Sequence, residues 1–180
     1  MAWILDAAHS SVGFAVKHLM VSTVRGQFKT YSATIDLDPA DVTRSKVSAE
    51  IDAASLDTRD EKRDEHLRSA DFFDVANHPK LTFESKRIDR IDGDTYRIVG
   101  DLTIRGTTRV IALDAEFFGM QKSPWGDTRT GFSLRGTLNR KDFDLTWNVA
   151  LETGGVLVGD KVTLEIEVEA IQPAQVPAAV

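Results

Sequence analysis

Apolar and polar residues alternate along most of this chain, and this alternation restricts the folds that the chain can adopt. The clearest example is the segment 161–170, KVTLEIEVEA, in which nearly every second residue is apolar. A period of two places the apolar side chains on one face of a β-strand and the polar side chains on the other. Strands of a parallel sheet are apolar on both faces, so the pattern excludes a sheet covered by helices on both sides.

About eight long segments of this kind follow one another, and short turns separate most of them. Turns such as Asp92-Gly93-Asp94 join strands that run in opposite directions. The alternation changes parity near Lys29–Thr30, where a β-bulge would bend the strand. Closing eight long strands into a barrel removes the exposed edges that an open sheet leaves. The sequence therefore predicts an all-β fold, an eight-stranded antiparallel barrel, with a two-sheet sandwich as the alternative.

Residues 59–74 interrupt the alternation and predict one short helical insert. Thr58 and Glu61 have the spacing of a capping box, in which each side chain bonds the backbone N–H of the other residue. Asp64 and Arg68 are four residues apart, so we expect them to form an ion pair on the helix surface. The insert is therefore predicted to begin with a charged, solvent-exposed helix.

The large apolar residues of this insert are Leu67, Phe72 and Phe73. A helix with so narrow an apolar face is not a core element. One interpretation is a surface helix that only connects two strands. The other is a polar roof whose apolar underside closes one end of the barrel.

The residues expected to point into the barrel are a mixture of small and aromatic ones. The small ones are Gly26, Ala33, Ala49, Gly100, Ala115 and Gly136. Small residues leave space for a guest molecule, although they equally suit the taper of a solid core. Almost none of the inward residues is ionisable, so a charged ligand such as a nucleotide would lack partners. We therefore expect a long apolar guest whose head-group charge matters little.

A set of large apolar residues is predicted to contact this guest, because each is expected to face the interior or to lie under the insert. These residues are Phe14, Val16, Phe28, Leu67, Phe72, Phe73, Phe83, Leu102, Ile104, Phe117, Phe132 and Leu134. No residue is assigned a catalytic or metal-binding role, and no cofactor is expected.

The charge and composition of the chain argue against several classes of partner. The net charge is −6 and there is no run of Lys and Arg, which argues against nucleic acid and against electrostatic docking to anionic membranes. No apolar run is long enough to span a bilayer, so stable membrane insertion is not expected. The chain has no cysteine and its first residues lack the features of a signal peptide, so we expect a cytoplasmic protein.

Sequence signals for catalysis are weak. The four histidines do not form the spacings of a metal site, and no G-x-S-x-G element accompanies His9-Ser10. His66 lies among charged residues and is interpreted as an ion-paired helix residue. We therefore predict that the protein is not an enzyme. The alternative is an enzyme acting on an apolar substrate, with His18 or His66 as its base.

Several short motifs occur in a characteristic order along the chain. They include Trp3-Ile-x-Asp6-x-x-His9-Ser10, Val24-Arg25-Gly26-x-Phe28, Arg63-Asp64-x-His66-Leu67-Arg68-Ser69, Asp71-Phe72-Phe73-Asp74, Asn139-Arg140-x-Asp142-Phe143 and Val158-Gly159-Asp160. In their order and spacing these motifs resemble the YceI-like family, and the resemblance covers about residues 3–170.

The resemblance implies a lipocalin-like barrel whose apolar bore holds an isoprenoid chain, that of a polyprenyl carrier or a quinone, for carriage, storage or sequestration. It implies no established catalytic residue, and it is compatible with a homodimer. Many relatives are exported, whereas this chain lacks a leader, so the cytoplasmic expectation stands. No repeat or linker divides the sequence, so residues 1–172 are expected to form one lipid-binding domain. Residues 173–180 have no periodicity and are expected to form a disordered tail.

Overall fold

The computed structural model describes residues 2–174 and consists mainly of antiparallel β-strands. Within this range the strands are β1 (Ala2–Leu5), β2 (Ser11–His18), β3 (Ser22–Phe28), β4 (Tyr31–Asp36), β5 (Lys46–Asp52), β6 (Leu56–Asp57), β7 (Lys80–Asp92), β8 (Thr95–Ile104), β9 (Thr107–Lys122), β10 (Thr128–Asn139) and β11 (Val158–Gln172). An α-helix, α1 (Glu61–Arg68), lies between β6 and β7. The tail predicted at 173–180 lies outside the described residues from position 175 onward.

The sheet closes into a barrel through β11. One edge of this strand pairs with β10, and the other edge pairs first with β2 and then with β1. The antiparallel neighbours follow the order β1, β4, β5, β7, β8, β9, β10 and β11, and β11 returns to β1. When β1 and β2, β3 and β4, and β5 and β6 are each counted as one broken strand, the barrel has the eight antiparallel strands that the sequence predicts.

The β-bulge predicted at Lys29–Thr30 is instead a complete break between β3 and β4. Both backbone amides of the break donate to Ser55, that of Lys29 to the carbonyl oxygen (3.1 Å) and that of Thr30 to Oγ (3.0 Å). The neighbouring strands are interrupted at the same level by short 3-10 turns at Ala7–His9 and Ala53–Ser55. These adjacent strands therefore bend together, and the amides of the break keep their hydrogen bonds.

The helical insert is found where it was predicted, but its first turn is held differently. The N-cap of α1 is Asp60, whose Oδ1 accepts a hydrogen bond from Arg63 N (3.1 Å). The predicted capping box is therefore wrong. The predicted surface pair of Asp64 with Arg68 is also wrong, because Asp64 is buried. Its Oδ1 accepts hydrogen bonds from both the amide (3.0 Å) and the hydroxyl (2.5 Å) of Thr58.

Two clusters of buried apolar side chains fill the ends of the barrel. The first, near the turn from β7 to β8, contains Trp3, Ile35, Leu37, Val42, Ile88, Tyr96, Ile98, Leu113, Ala115, Leu134 and Ala170. The second, on the side of α1, contains Phe28, Ala53, Leu56, Leu81, Leu102, Ile104, Phe143 and Leu145. Leu67 and Phe73 pack against the second cluster, and Phe72 is buried. The underside of the insert thus closes one end of the barrel, in agreement with the second interpretation of the sequence.

Two of the small inward residues do not leave space, because an aromatic ring covers each of them. Phe14 is the partner of Gly26 across β2 and β3, and a Cβ on Gly26 would lie 2.9 Å from Phe14 Cε1. A Cβ on Gly100 would lie 2.5 Å from Phe83 Cζ. Each glycine therefore makes room for a neighbouring ring rather than for a guest molecule.

Gly100→Ala is expected to lower the free energy of unfolding by about 1–3 kcal/mol. A Cβ at this position would overlap the carbonyl oxygen of Glu84 as well as the Phe83 ring, and a backbone atom cannot move aside as a side chain can. Urea denaturation measures the change. Gly131→Ala is the control, because its Cβ would lie 3.5 Å from the nearest atom and should leave the stability almost unchanged. Equal losses in the two variants would contradict the packing described for Gly100.

Candidate ligand-binding site

An apolar cavity of about 560 Å³ lies inside the barrel and is lined by residues of both apolar clusters. Its volume falls within the range of about 300–1,000 Å³ that is typical of small-molecule sites. Its aliphatic lining includes Leu5, Val12, Val16, Val24, Ile35, Val47, Ile51, Ile98, Ile111, Leu113, Leu164, Ile166 and Val168. The lining comes from inward-facing positions of the strands, as the alternation of the sequence predicts.

Most of the residues predicted to contact a guest line this cavity. They are Phe14, Val16, Phe28, Leu67, Phe72, Phe73, Phe83, Leu102, Ile104 and Leu134. Phe117 and Phe132 do not line it, so their contact with a guest stays a prediction that the cavity does not support. Their rings stack with centroids 5.0 Å apart and pack against the first apolar cluster. The alternation places them correctly on the inward face but carries no information about depth along the barrel.

Of the small residues predicted to point inward, Ala33 on β4 and Ala49 on β5 line the cavity, and they are direct partners across the two strands. Ala115 is 1% exposed and belongs to the first apolar cluster instead. A Cβ on Gly136 would lie 2.7 Å from Leu113 Cδ2, so this position is filled as well. The space in the cavity is therefore associated with one pair of alanines rather than with all the small inward residues.

Most polar residues of the lining gather at one opening, which we call the mouth. The turn between β2 and β3, the helix α1 and the segment 147–158 surround it. Its polar residues are Lys17, His18, Thr58, Asp60, Lys62, Arg63, His66, Arg140 and Trp147. The remaining polar lining residues, near the strand breaks, are Tyr31, Ser32 and Glu167. The expectation that a head-group charge matters little overlooks this end of the cavity, where cationic side chains stand within its lining.

The YceI-like domain family matches residues 3–170, which is nearly the whole length of the chain. The chain belongs to the YceI-like family. A UPF0312 protein of Staphylococcus epidermidis is 44% identical to it over 165 residues, which cover 91% of this chain and 94% of that protein.

Solved structures share the same YceI-like barrel. The YCEI protein of Campylobacter jejuni has a TM-score of 0.75 and 41% identity, covering 93% of this chain and 96% of that chain. A domain of Saccharophagus degradans, described as polyisoprenoid binding and implicated in plant cell wall breakdown, has a TM-score of 0.70 over 96% of this chain and 99% of that chain. Its identity is 15%, so this likeness concerns the fold alone. No helix within residues 2–174 combines the length and the apolar character needed to cross a membrane.

Arg140 is a buried cation of this YceI-like barrel, with 3% of its surface exposed. Its guanidinium donates to the carbonyl oxygens of Leu145 (2.7 Å), Trp147 (2.9 Å) and Gly159 (2.9 Å). Burial lowers the pKa of Arg140, and the carboxylate of Asp160 opposes this shift. The hydrogen bonds tie the segment after β10 to the start of β11, so Arg140 positions one side of the mouth. Arg140 is not among the site residues that the sequence predicts.

Arg140→Lys is expected to lower the free energy of unfolding by about 2–4 kcal/mol, because an ammonium group cannot satisfy all of these carbonyl oxygens at once. Urea denaturation measures the loss. Arg135→Lys is the matched control, since Arg135 is an exposed residue of the same strand, β10. If both variants lose the same small amount, the buried network does not hold the mouth.

His66, one of the two residues named as an alternative base, lies at the mouth. Its Nε2 is 2.8 Å from Asp71 Oδ2, and its ring packs edge-on against Trp147 and Phe72, with centroids at 4.5 Å and 5.1 Å. The interpretation of His66 as an ion-paired residue agrees with this geometry, although the partner lies beyond α1. His18 ends β2 and also lines the cavity, so both histidines border it.

Outside the cavity, Asp6, His9 and Glu169 place potential metal-ligating atoms within 4.8 Å of one another. Arg129 Nη1 donates to Glu169 Oε1 (2.6 Å) and to Asp6 Oδ2 (3.3 Å), so the two carboxylates already share a cation. The hydrogen bond between Asp6 and His9 lowers the pKa of the carboxyl group and raises the pKa of the imidazole. The hydrogen bonds among these side chains therefore connect the residues at the break between β1 and β2. Arg129 and His9 compensate the negative charges of the two carboxylates.

Proposed function

We propose that this YceI-like barrel binds a long apolar lipid of the isoprenoid type, the chain of a polyprenyl carrier or of a quinone, inside its cavity. The observation that carries the proposal is the cavity of about 560 Å³ with its aliphatic and aromatic lining. The description of the Saccharophagus degradans domain as polyisoprenoid binding supports the same class of ligand through the shared fold. Carriage, storage or sequestration of the lipid is the role that such a cavity serves.

The energetics of burial favour a long unsaturated chain. Each buried CH₂ group contributes about 0.8 kcal/mol. Ordering a flexible chain costs roughly 0.5 kcal/mol or more for each fixed rotor. An isoprenoid has fewer free rotors than a saturated acyl chain of equal length, so it loses less on binding. Affinity should therefore rise with chain length until the cavity is full.

A second candidate function, an enzyme acting on an apolar substrate, is motivated by the pair of His66 and Asp71 at the mouth. A carboxylate that orients an imidazole is a common arrangement for a general base. Within residues 2–174, however, the hydrogen bond of the His66 ring goes to Asp71, and no hydroxyl group is placed on the ring as a nucleophile. We propose a binding protein rather than an enzyme because the apolar cavity supports binding, and the absence of a catalytic residue, metal or cofactor stays a prediction.

Some expectations from the sequence stay predictions, namely the cytoplasmic location, the absence of a nucleic-acid partner and the homodimer. Cell fractionation measures the location. Light scattering on the purified protein measures the oligomeric state.

Prenyl alcohols of increasing length should bind with rising affinity up to a limiting length, and Ala49→Phe should shorten that limit. The larger side chain would occupy space beside Ala33 in the cavity, so the stability should change little. Calorimetric titration of the series, with saturated fatty acids alongside, measures both effects.

Ala112→Phe is the control for this series, because Ala112 is exposed on β9 and should leave the limiting length unchanged. An affinity that does not depend on chain length would contradict the proposed function. Organic extraction and mass spectrometry of the purified protein provide an independent measurement, in which a stoichiometric isoprenoid is expected.

A further inference from the structure

Large apolar side chains are exposed beside the mouth. Leu19 (41% exposed), Met20 (64%) and Val21 (82%) form the turn between β2 and β3, and Val149 (45%) lies on the segment that precedes β11. The two parts are in contact, because the amide of Leu19 donates to the carbonyl oxygen of Leu157 (2.9 Å). We call Leu19, Met20, Val21 and Val149 the apolar rim. The rim thus spans both sides of one edge of the mouth.

The backbone conformation of the turn between β2 and β3 favours residues other than the Leu19 and Met20 that occupy it. Leu19 and Met20 have φ angles of 51° and 61°, and the amide of Val21 donates to the carbonyl oxygen of His18 (3.2 Å). This is the geometry of a type I′ turn, which favours Asn-Gly. Large apolar residues with positive φ cost stability, and because these side chains are exposed, little burial offsets that cost. Their presence therefore indicates a role other than local folding.

The side chains that line the mouth beside the rim carry more positive than negative charge. Lys17, Lys62 and Arg63 line it, and none of them forms an ion pair with a carboxylate within the described residues 2–174. Asp60, which caps α1, is the carboxylate among the lining residues of the mouth, whereas Glu61, Asp64 and Glu65 of α1, Asp71 and the exposed Glu152 lie outside the lining. Because the excess of cations is confined to the lining, it acts on anions that reach the mouth even though the net charge of the chain is −6.

We propose that the apolar rim docks on the surface of an anionic lipid bilayer. The rim side chains enter the boundary between head groups and acyl chains, while Lys17, Lys62 and Arg63 face the anionic head groups. The mouth then faces the bilayer, and an apolar chain passes between bilayer and cavity without crossing water. Docking of the rim on a bilayer does not depend on a ligand in the cavity. Only the identity of the molecule that passes through the mouth rests on the proposed function.

A bilayer fits this surface better than a second copy of the chain. A stable protein interface uses about 20–30 residues on each side, whereas the rim offers a few side chains. In a twofold dimer the same cations would also face one another and repel. The expectation that the net negative charge prevents docking to anionic membranes considers the chain as a whole and misses this local patch.

Sedimentation with lipid vesicles tests the docking. The protein should bind vesicles of phosphatidylcholine and phosphatidylglycerol more tightly than vesicles of phosphatidylcholine alone, and salt should weaken the binding. Val21→Asp should weaken it about tenfold, because it places a carboxylate within the rim. Val110→Asp is the matched control, since it makes the same substitution at a valine that is 58% exposed on β9, and it should bind as the unaltered protein does.

A second variant separates docking from folding. Leu19→Asn combined with Met20→Gly gives the turn the residues that its backbone favours, so it should raise the midpoint of urea denaturation while it lowers vesicle binding. Opposite changes in the two measurements support the proposal. A gain in stability with unchanged vesicle binding would show that the rim has no docking role.

Equal vesicle binding by the Val21→Asp and Val110→Asp variants would overturn the docking proposal, as would a failure of the unaltered protein to bind either vesicle. A dimer that Val21→Asp converts to a monomer in light scattering would assign the rim to a second copy instead. Titration of the same variants with prenyl alcohols in solution tests the proposed function separately, because no rim residue lines the cavity.

Discussion

The pairing of β11 with two strands along one edge is the interaction on which the rest of the structure depends. Because this edge accepts both β2 and β1, the wall closes and its backbone amides find partners within the wall. A wall that needs no polar partners from the interior can enclose side chains that are wholly apolar. Most polar groups of the lining thereby lie where the strands end, and this is where the mouth lies.

The alternation of the sequence is sufficient to predict the barrel because it determines which face of each strand is inward. It does not determine depth. Phe14 and Phe132 follow the same pattern, yet the first lines the cavity and the second packs against the first apolar cluster instead. It also does not show what covers a small residue. The sequence suggests that Gly26 leaves space in the interior, whereas in the structure the Phe14 ring occupies that space.

The errors around the insert have a different physical cause, which is that a polar side chain often has several partners within reach. The spacing of Asp64 suits Arg68, but burial beside Thr58 supplies two hydrogen bonds to one carboxylate oxygen. The buried position of Arg140 is predictable from the alternation of the sequence. It continues the inward parity of Leu138, so the alternation itself places this charge inside the barrel. An ionisable residue at an inward position indicates that hydrogen-bond partners surround its buried side chain.

The wall and the mouth of the cavity belong to different parts of the chain. The wall consists of paired strands, whereas the mouth consists of a helix, a turn and a segment held by the hydrogen bonds of Arg140. If the barrel binds a lipid as proposed, the dimensions of the wall determine which lipid fits. Opening of the mouth determines how quickly that lipid leaves, because local opening needs less free energy than separation of the strands. Residence time and selectivity can therefore evolve separately in a barrel of this kind.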